Sequence, residues 1–247
     1  FAQPNPYAGY LGCLAPVAAS LALGAIGMWR RGRRSVDIIR AALLGALTVL
    51  IVAGIIASWS RGAWLGLAGG MVVIVILRGR RIAAAIVAGI LLIALVAAIA
   101  DPGWLPSSLV ERVEDLSSYL VGPDPARTTI TDANFAVLER LAHWQAGLRM
   151  FEDHPWLGVG IGNYEAVYPA FRLARWTDAL GHAHNYYLNI AAETGLIGLG
   201  AYLSFWLAAG VAVLRSLRRA EPRWLWRAAG LGVLGALAHL SVRNLFD

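Results

Sequence analysis

The chain has no lysine; its 21 basic residues are all arginine, set against only 15 carboxylates. It has one cysteine, Cys13. A lone cysteine excludes an internal disulfide and any multi-cysteine metal centre. Inside an apolar run such a thiol is ordinarily a small hydrophobe. Charge of either sign is scarce: 15% of residues are charged, 58% are hydrophobic, and the mean hydropathy is +0.60. That composition excludes an ordinary soluble domain. The net charge of +6 and pI near 10.0 raise the question of nucleic acid. However, the arginines share no continuous face and fall in short clusters between apolar runs, as in the cytoplasmic loops of membrane proteins. No nucleic-acid partner is expected. There are no repeats, no low-complexity tracts and no signal-peptide pattern. The chain opens on Phe1 rather than Met, at what reads as the edge of a membrane segment, so an incomplete chain is expected.

What the chain does have is long uncharged runs. A spanning helix needs about 20 mostly apolar residues. Tyr7–Trp29, Ala41–Ser60, Gly62–Leu77, Ile82–Ala100, Thr194–Leu214 and Trp224–Val242 qualify, the last broken only by Arg227 and His239. Alternating these six spans places Arg30–Arg34, Arg40, Arg78–Arg81 and Arg215–Arg227 on one side. The positive-inside rule makes that side cytoplasmic. Arg61, residues 101–183, His184 and the tail 243–247 then lie together outside. Gly62–Leu77 is shorter than the hydrocarbon core, which draws Arg61 to the membrane boundary. A span counted back from Arg215 starts near Thr194, so the helix containing His184 projects beyond the bilayer with the histidine above it.

The whole of 1–247 is expected to form one membrane domain, with 101–183 an extracytoplasmic loop inserted between two spans. A loop this long is functional or has structure of its own. Val110–Tyr119 fits a short helix. From Asp132 onward, Phe135, Leu138, Leu141, Ala142, Gln145 and Leu148 recur at helical spacing. That helix, which carries Arg140 and Trp144, should stop at His154-Pro155, because proline disfavours helix in the residue before it.

Several residue groups bear on chemistry. Gly158-Val159-Gly160-Ile161-Gly162-Asn163 has the wrong glycine spacing for a nucleotide fingerprint and no preceding strand, so it reads as a tight turn after Pro155. His182 and His184 stand with Asn185 at the mouth of a long apolar helix. They read either as interfacial side chains, as two ligands of a metal site with Asp178 or Glu193, or as bases. An imidazole near its ordinary pKa of ~6.5 suits proton abstraction from a hydroxyl. Arg61 either anchors a helix end or, within Ser60-Arg61-Gly62-Ala63-Trp64, binds an anion between small residues. Arg140, Arg172 and Arg175 add guanidinium groups on the same side, planar forks suited to phosphate oxygens, although a solvated loop face accounts for Arg172 and Arg175 as well. Gly195 and Gly198 form a small-residue face for close helix packing. His239, Arg243, Asn244 and Asp247 bring the last helix to the outer surface, His239 reading as a buried, hydrogen-bonded histidine.

Taken in order, these residues resemble the O-antigen ligase/polymerase superfamily. The likeness runs from Asn5-Pro6, Ala8 and Tyr10-Leu11 to Ser60-Arg61-Gly62-Ala63-Trp64-Leu65, then Glu139-Arg140 and Trp144. It continues through His154-Pro155-Trp156-Leu157-Gly158-Val159-Gly160 to His182-Ala183-His184-Asn185 and Glu193-Thr194-Gly195-Leu196. His184-Asn185, nine further residues, Gly195, two more and Gly198 resemble the signature of the ligases. The resemblance implies an all-α, multi-pass membrane protein of GT-C-like fold with a large, partly helical periplasmic loop, in the bacterial inner membrane. It implies transfer of a glycan from a polyprenyl-diphosphate carrier without metal or other cofactor. His184 falls at the position of the catalytic histidine, and Arg61 and Arg140 match arginines implicated in diphosphate binding. Family members commonly have about twelve helices against the six spans here, which implies that the chain is a part of a longer protein.

The expected reaction is therefore an inverting glycosyl transfer in the biosynthesis of cell-envelope lipopolysaccharide. His184 takes the proton of an acceptor hydroxyl, on a glycan or a lipid. Arg61 and Arg140 stabilise the departing diphosphate, and His182, Asn185 and Asp178 orient base or acceptor. Trp144, Tyr164, Tyr168 and Trp176 stack on sugars or anchor the chain at the interface, where it meets membrane lipids. The alternatives are a transporter, as some superfamily relatives have been labelled, or a metal-dependent hydrolase. Against a transporter stands the lack of polar groups mid-span, where a carrier places its site.

Overall fold

The computed structural model describes residues 4–79, 122–132, 134–219 and 223–246. Among the described residues there are seven helices: α1 (Pro4–Gly32), α2 (Ser35–Ala57), α3 (Arg61–Arg78), α4 (Phe135–Asp153), α5 (Tyr164–Phe171), α6 (Tyr186–Arg219) and α7 (Trp224–Arg243). Five of these, α1, α2, α3, α6 and α7, are long and apolar enough to cross a membrane. The protein is an all-helical, multi-pass membrane protein, as its apolar runs require. The run Ile82–Ala100 and the short helix expected at Val110–Tyr119 lie outside the described residues.

The chain divides into two compact units. The first comprises Phe1–Pro102 and Trp206–Arg243. In it α1 packs on α2 and α7, and α3 packs on α7. Gly12 of α1 faces His239 and Gly24 faces Ala228, so α1 and α7 are antiparallel. Gly66 of α3 likewise faces His239 and Gly70 faces Gly235, so α3 also opposes α7 and runs parallel to α1. Small residues make this approach possible: a methyl group at Gly12 or Gly66 would overlap the His239 ring. The outward faces are apolar, with Leu43 and Leu50 of α2 about 70% exposed, as befits a lipid-facing surface. Arg61 is the first residue of α3 and is buried, beside the buried Ser60 and Ala63.

The second unit comprises Gly103–Phe205 and Asn244–Asp247, so the division falls inside α6. α4 ends at Asp153, just before His154-Pro155, as expected. Its buried face takes Leu138 and Ala142 from the residues at apolar spacing. Leu138, Ala142, His143, Ala146, Gly147 and Met150 point inward, while Phe135 and Leu148 are exposed. The reason is steric: a methyl on Gly147 would stand 3.2 Å from Leu188 and 3.4 Å from Ala183. Close approach selects the small side chains there, not the most hydrophobic ones.

The turn after Pro155 is interlocked with α6. Gly195 has φ 63° and ψ −164°, a conformation open essentially only to glycine, and it breaks the helix. Into this break fits the turn Pro155–Gly160. Val159 N donates to Ala192 O and Gly160 N to Glu193 O, both at 2.9 Å; Leu196 N donates to Pro155 O at 2.8 Å and Ile197 N to Trp156 O at 3.4 Å. The exchange satisfies backbone groups that a broken helix would leave orphaned. A methyl on Gly195 would lie 2.3 Å from the Trp156 carbonyl, and one on Gly158 would lie 2.3 Å from the Glu193 backbone. The close neighbour of Gly195 is therefore a turn and not a packed helix. Gly198 instead makes room for the side chain of Thr194, one turn earlier in the same helix.

Candidate active site

The second unit gathers its polar side chains where α4 and α5 meet the bend that leads into α6. That bend is not helical. Leu180, Gly181 and His184 all have positive φ, 51°, 78° and 54°. For a histidine this left-handed conformation is uncommon and must be held by its surroundings. Four bonds hold it. Ala183 N donates to Asn189 Oδ1 (3.0 Å), Leu188 N to Asn185 Oδ1 (3.1 Å), Tyr186 N to Asn244 O (2.8 Å) and Trp144 Nε1 to His184 O (3.3 Å). Asn185 is thus the N-terminal cap of α6. His184 precedes that helix rather than lying in it.

Three imidazoles converge here. The His184 ring lies 4.3 Å from that of His182 and 5.5 Å from that of His143. His143, on the inner face of α4, is 1% exposed. Its ring stacks on Tyr168 at 4.7 Å and 16°, and Nδ1 is 3.1 Å from Tyr164 Oη. Tyr164 Oη also donates to the His143 carbonyl, at 3.1 Å. His182 is exposed; its Nδ1 lies 2.9 Å from Leu180 O, and since a carbonyl only accepts, Nδ1 carries a hydrogen. Among the described residues, no three His, Cys, Asp or Glu side chains converge into a metal-binding group.

Burial dominates the electrostatics. It holds the His184 imidazole down to about 3, helped by the positive charges of His182, Arg140 and His143. Burial likewise lowers His143 to about 4, the charge of His182 adding to it and the Asp178 carbonyl opposing. His184 therefore differs from the ordinary imidazole anticipated in the sequence. It is neutral throughout the physiological range, and its Nε2 is buried without a hydrogen-bond partner. Burial also raises the carboxyl of Glu139, against the pull of Arg140 and with the push of Asp178.

The remaining candidates are placed as follows. Arg140 and Asp178 belong to this cluster, Asp178 through its backbone, its carboxylate being exposed. Arg172 and Arg175 do not turn to the imidazoles. Arg172 Nη1 donates to Ala174 O (3.2 Å), and Arg175 Nη1 to Thr128 O (2.9 Å), clamping the loop 122–132. Tyr164, Tyr168 and Trp176 are buried, and their polar atoms bond the carbonyls of His143, Trp176 and Pro125, so no ring face is left for a sugar. Trp144 differs: it is half-buried and lines a cavity of about 480 Å³ with Gln145, Leu141 and Leu188. Glu193 accepts from Tyr164 N (3.2 Å) at the start of α5, which gives it a structural partner. Arg61 belongs to the first unit. His143 escaped the reading of the sequence; its signal was a polar residue one helical turn beyond Arg140, on the face that carries Ala142 and Ala146.

No curated protein matches the chain in a sequence search. The family model described as O-antigen ligase matches residues 46–203, which is well over half of the chain and includes Arg61, Arg140, the turn after Pro155, both histidines of the bend and Gly195. This protein belongs to the O-antigen ligase family.

Proposed function

We propose that the protein transfers a glycan from a polyprenyl diphosphate to an acceptor hydroxyl at the periplasmic face of the inner membrane, with His184 as general base. The acceptor O–H gives its proton to His184 Nε2, and the oxygen attacks the anomeric carbon. The bond from that carbon to the diphosphate breaks, with inversion, and the lipid diphosphate leaves with the electron pair. Arg140 neutralises the charge on the departing diphosphate. The observation that carries this reading is the buried Nε2 of His184 with no hydrogen-bond partner. A buried polar atom left unpaired costs about 1–3 kcal/mol and calls for a role.

The low basicity of His184 fits such a base. Before donor binds, the ring is neutral and able to accept a proton. A diphosphate arriving beside Arg140 brings negative charge that offsets the positive groups depressing the imidazole, and so raises its basicity when the reaction needs it. His182 and Asn185 support the base from either side of the bend.

The test is reconstitution in liposomes with a polyprenyl-diphosphate-linked glycan. His184→Gln should lose at least ~10²-fold in transfer, the scale of general base catalysis, while staying membrane-inserted. A fully active, normally inserted variant would remove His184 from the mechanism.

A further inference from the structure

At the end of the first unit opposite Arg61, three arginines from three helices line one cavity of about 250 Å³. Arg31 comes from the last turn of α1, Arg78 from the end of α3 and Arg227 from the first turn of α7. Arg78 is planted between helices, its Nη1 donating to Ser20 O at 3.3 Å and Ser20 Oγ at 3.4 Å. Ser20 is fully buried, so this guanidinium is tied to the helical interior rather than hanging in water. The charge of Arg227 acts directly on it. Among the described residues no carboxylate pairs with any of the three; Asp37, on the same unit, is bonded to Arg40 at 3.3 Å. Arg78 is half-buried and Arg31 and Arg227 stand exposed at its mouth; like charges so gathered repel, and an anion among them turns that cost into binding energy.

We propose that this cavity holds the phosphate headgroup of an anionic glycerophospholipid, gripped by Arg31, Arg78 and Arg227. Guanidinium forks match phosphate oxygens, and the N-terminus of the 20-residue α7 adds N–H groups to the same end. The location favours a lipid over a soluble phosphate. Met28, Leu77, Leu231 and Trp224 form the rest of the wall, and the cavity sits at the ends of three membrane-spanning helices. Trp226, the residue before Arg227 in the first turn of α7, is 64% exposed, an aromatic at the end of a spanning helix where headgroups lie. Arginine pockets between spans are the form that such headgroup sites take. Gly27 leaves the space open, since nothing lies within 4 Å of where its Cβ would stand. The proposal is independent of the role given to His184.

The test uses the detergent-solubilised full chain, with native mass spectrometry and thermal unfolding in phosphatidylglycerol, phosphatidylcholine or inorganic phosphate. Phosphatidylglycerol should remain bound and bind at least about tenfold more tightly than phosphatidylcholine. The pair Arg31→Gln/Arg227→Gln should weaken it roughly tenfold or more, as should Gly27→Leu, which fills the space and leaves the charges alone. Gly27→Leu also decides the matter if the arginine pair fails to fold. Arg33→Gln/Arg34→Gln, two charges at the same end but off the cavity, should change binding by no more than about twofold. Equal binding of the two lipids, or an equal loss in the control pair, overturns the proposal. Stabilisation by inorganic phosphate as large as that by lipid would assign the cavity to a soluble anion and overturn it too.

Discussion

The ring of His143 stands edge-on to that of His184, 5.5 Å between centroids and 81° between planes. His143 is itself fixed by a stack on Tyr168 and by Tyr164 Oη, so the wall against which His184 rests cannot rotate. The base proposed for this reaction must be held in place to within fractions of an ångström, and the neighbouring imidazole of His143 is the group that would hold it.

His143 is accordingly a positioning residue. His143→Phe keeps the stack on Tyr168 and loses the contact with Tyr164 Oη, and should cost about 1 kcal/mol in thermal unfolding. His143→Ala leaves a cavity and should cost about 3 kcal/mol or more. In transfer assays the Phe variant should lose kcat with little change in KM, because the donor's binding groups are untouched. A Phe variant with wild-type kcat would reduce His143 to packing.

The interlock between the turn and α6 makes a second prediction. Gly195→Ala forces a side chain into a conformation reserved for glycine and against the Trp156 carbonyl. It should destabilise the second unit by at least about 2 kcal/mol. Hydrogen exchange at Val159, Gly160 and Leu196, whose amides bond across the break, should accelerate with it. Gly198→Ala keeps helical backbone angles, but its methyl would stand 2.2 Å from Thr194 Cβ, so it should destabilise α6 as well while leaving the exchange of Val159 and Gly160 less affected. Equal exchange rates in Gly195→Ala and wild type would mean that the interlock contributes nothing.

The buried His143 and the half-buried His184 set a pH dependence. Both are depressed in the folded protein, His143 to about 4 and His184 to about 3, against about 6.5 when unfolded. Between those values the unfolded chain binds protons that the folded chain refuses. Stability is therefore full above about pH 6.5 and declines as pH falls toward the folded values. The melting temperature should drop from pH 7 to pH 5, and less so in His143→Phe. With neutral His184 as the proposed base, kcat/KM for transfer should show no His184 inflection between pH 7.5 and 5. An inflection near 6.5 that vanished in a His184 variant would contradict the burial of this ring.

Much of the architecture was legible because membrane spans are written in composition. Tyr7–Trp29, Ala41–Ser60, Gly62–Leu77, Thr194–Leu214 and Trp224–Val242 each fall on a long apolar helix, with ends displaced by up to eight residues where α6 starts at Tyr186. Proline and glycine were equally readable: His154-Pro155 follows directly on the end of α4, and Gly158, Gly160 and Gly162 all take positive φ in the turn. The inner face of α4 was readable in part. Of the apolar residues at helical spacing, Leu138 and Ala142 point inward, whereas Phe135 and Leu148 stay exposed, and the close approach to Ala183 and Leu188 falls on Gly147. Reading Tyr164, Tyr168 and Trp176 as sugar platforms failed for a related reason: an aromatic side chain in a loop can face either way, and only the carbonyls waiting inside decide which.

The local sequence determined the helices that cross the membrane, where they stop, and which family the chain belongs to, because hydrophobic length, proline and ordered motifs act on neighbouring residues. The tertiary structure alone decided that the turn at Pro155–Gly160 fills the break at Gly195, that His143 stands behind His184, and that burial keeps His184 neutral. Those properties arise between segments roughly forty residues apart in the chain. Backbone pairing across a helix break and the exclusion of water from a ring depend on who the distant neighbours are, and no run of residues carries that information by itself.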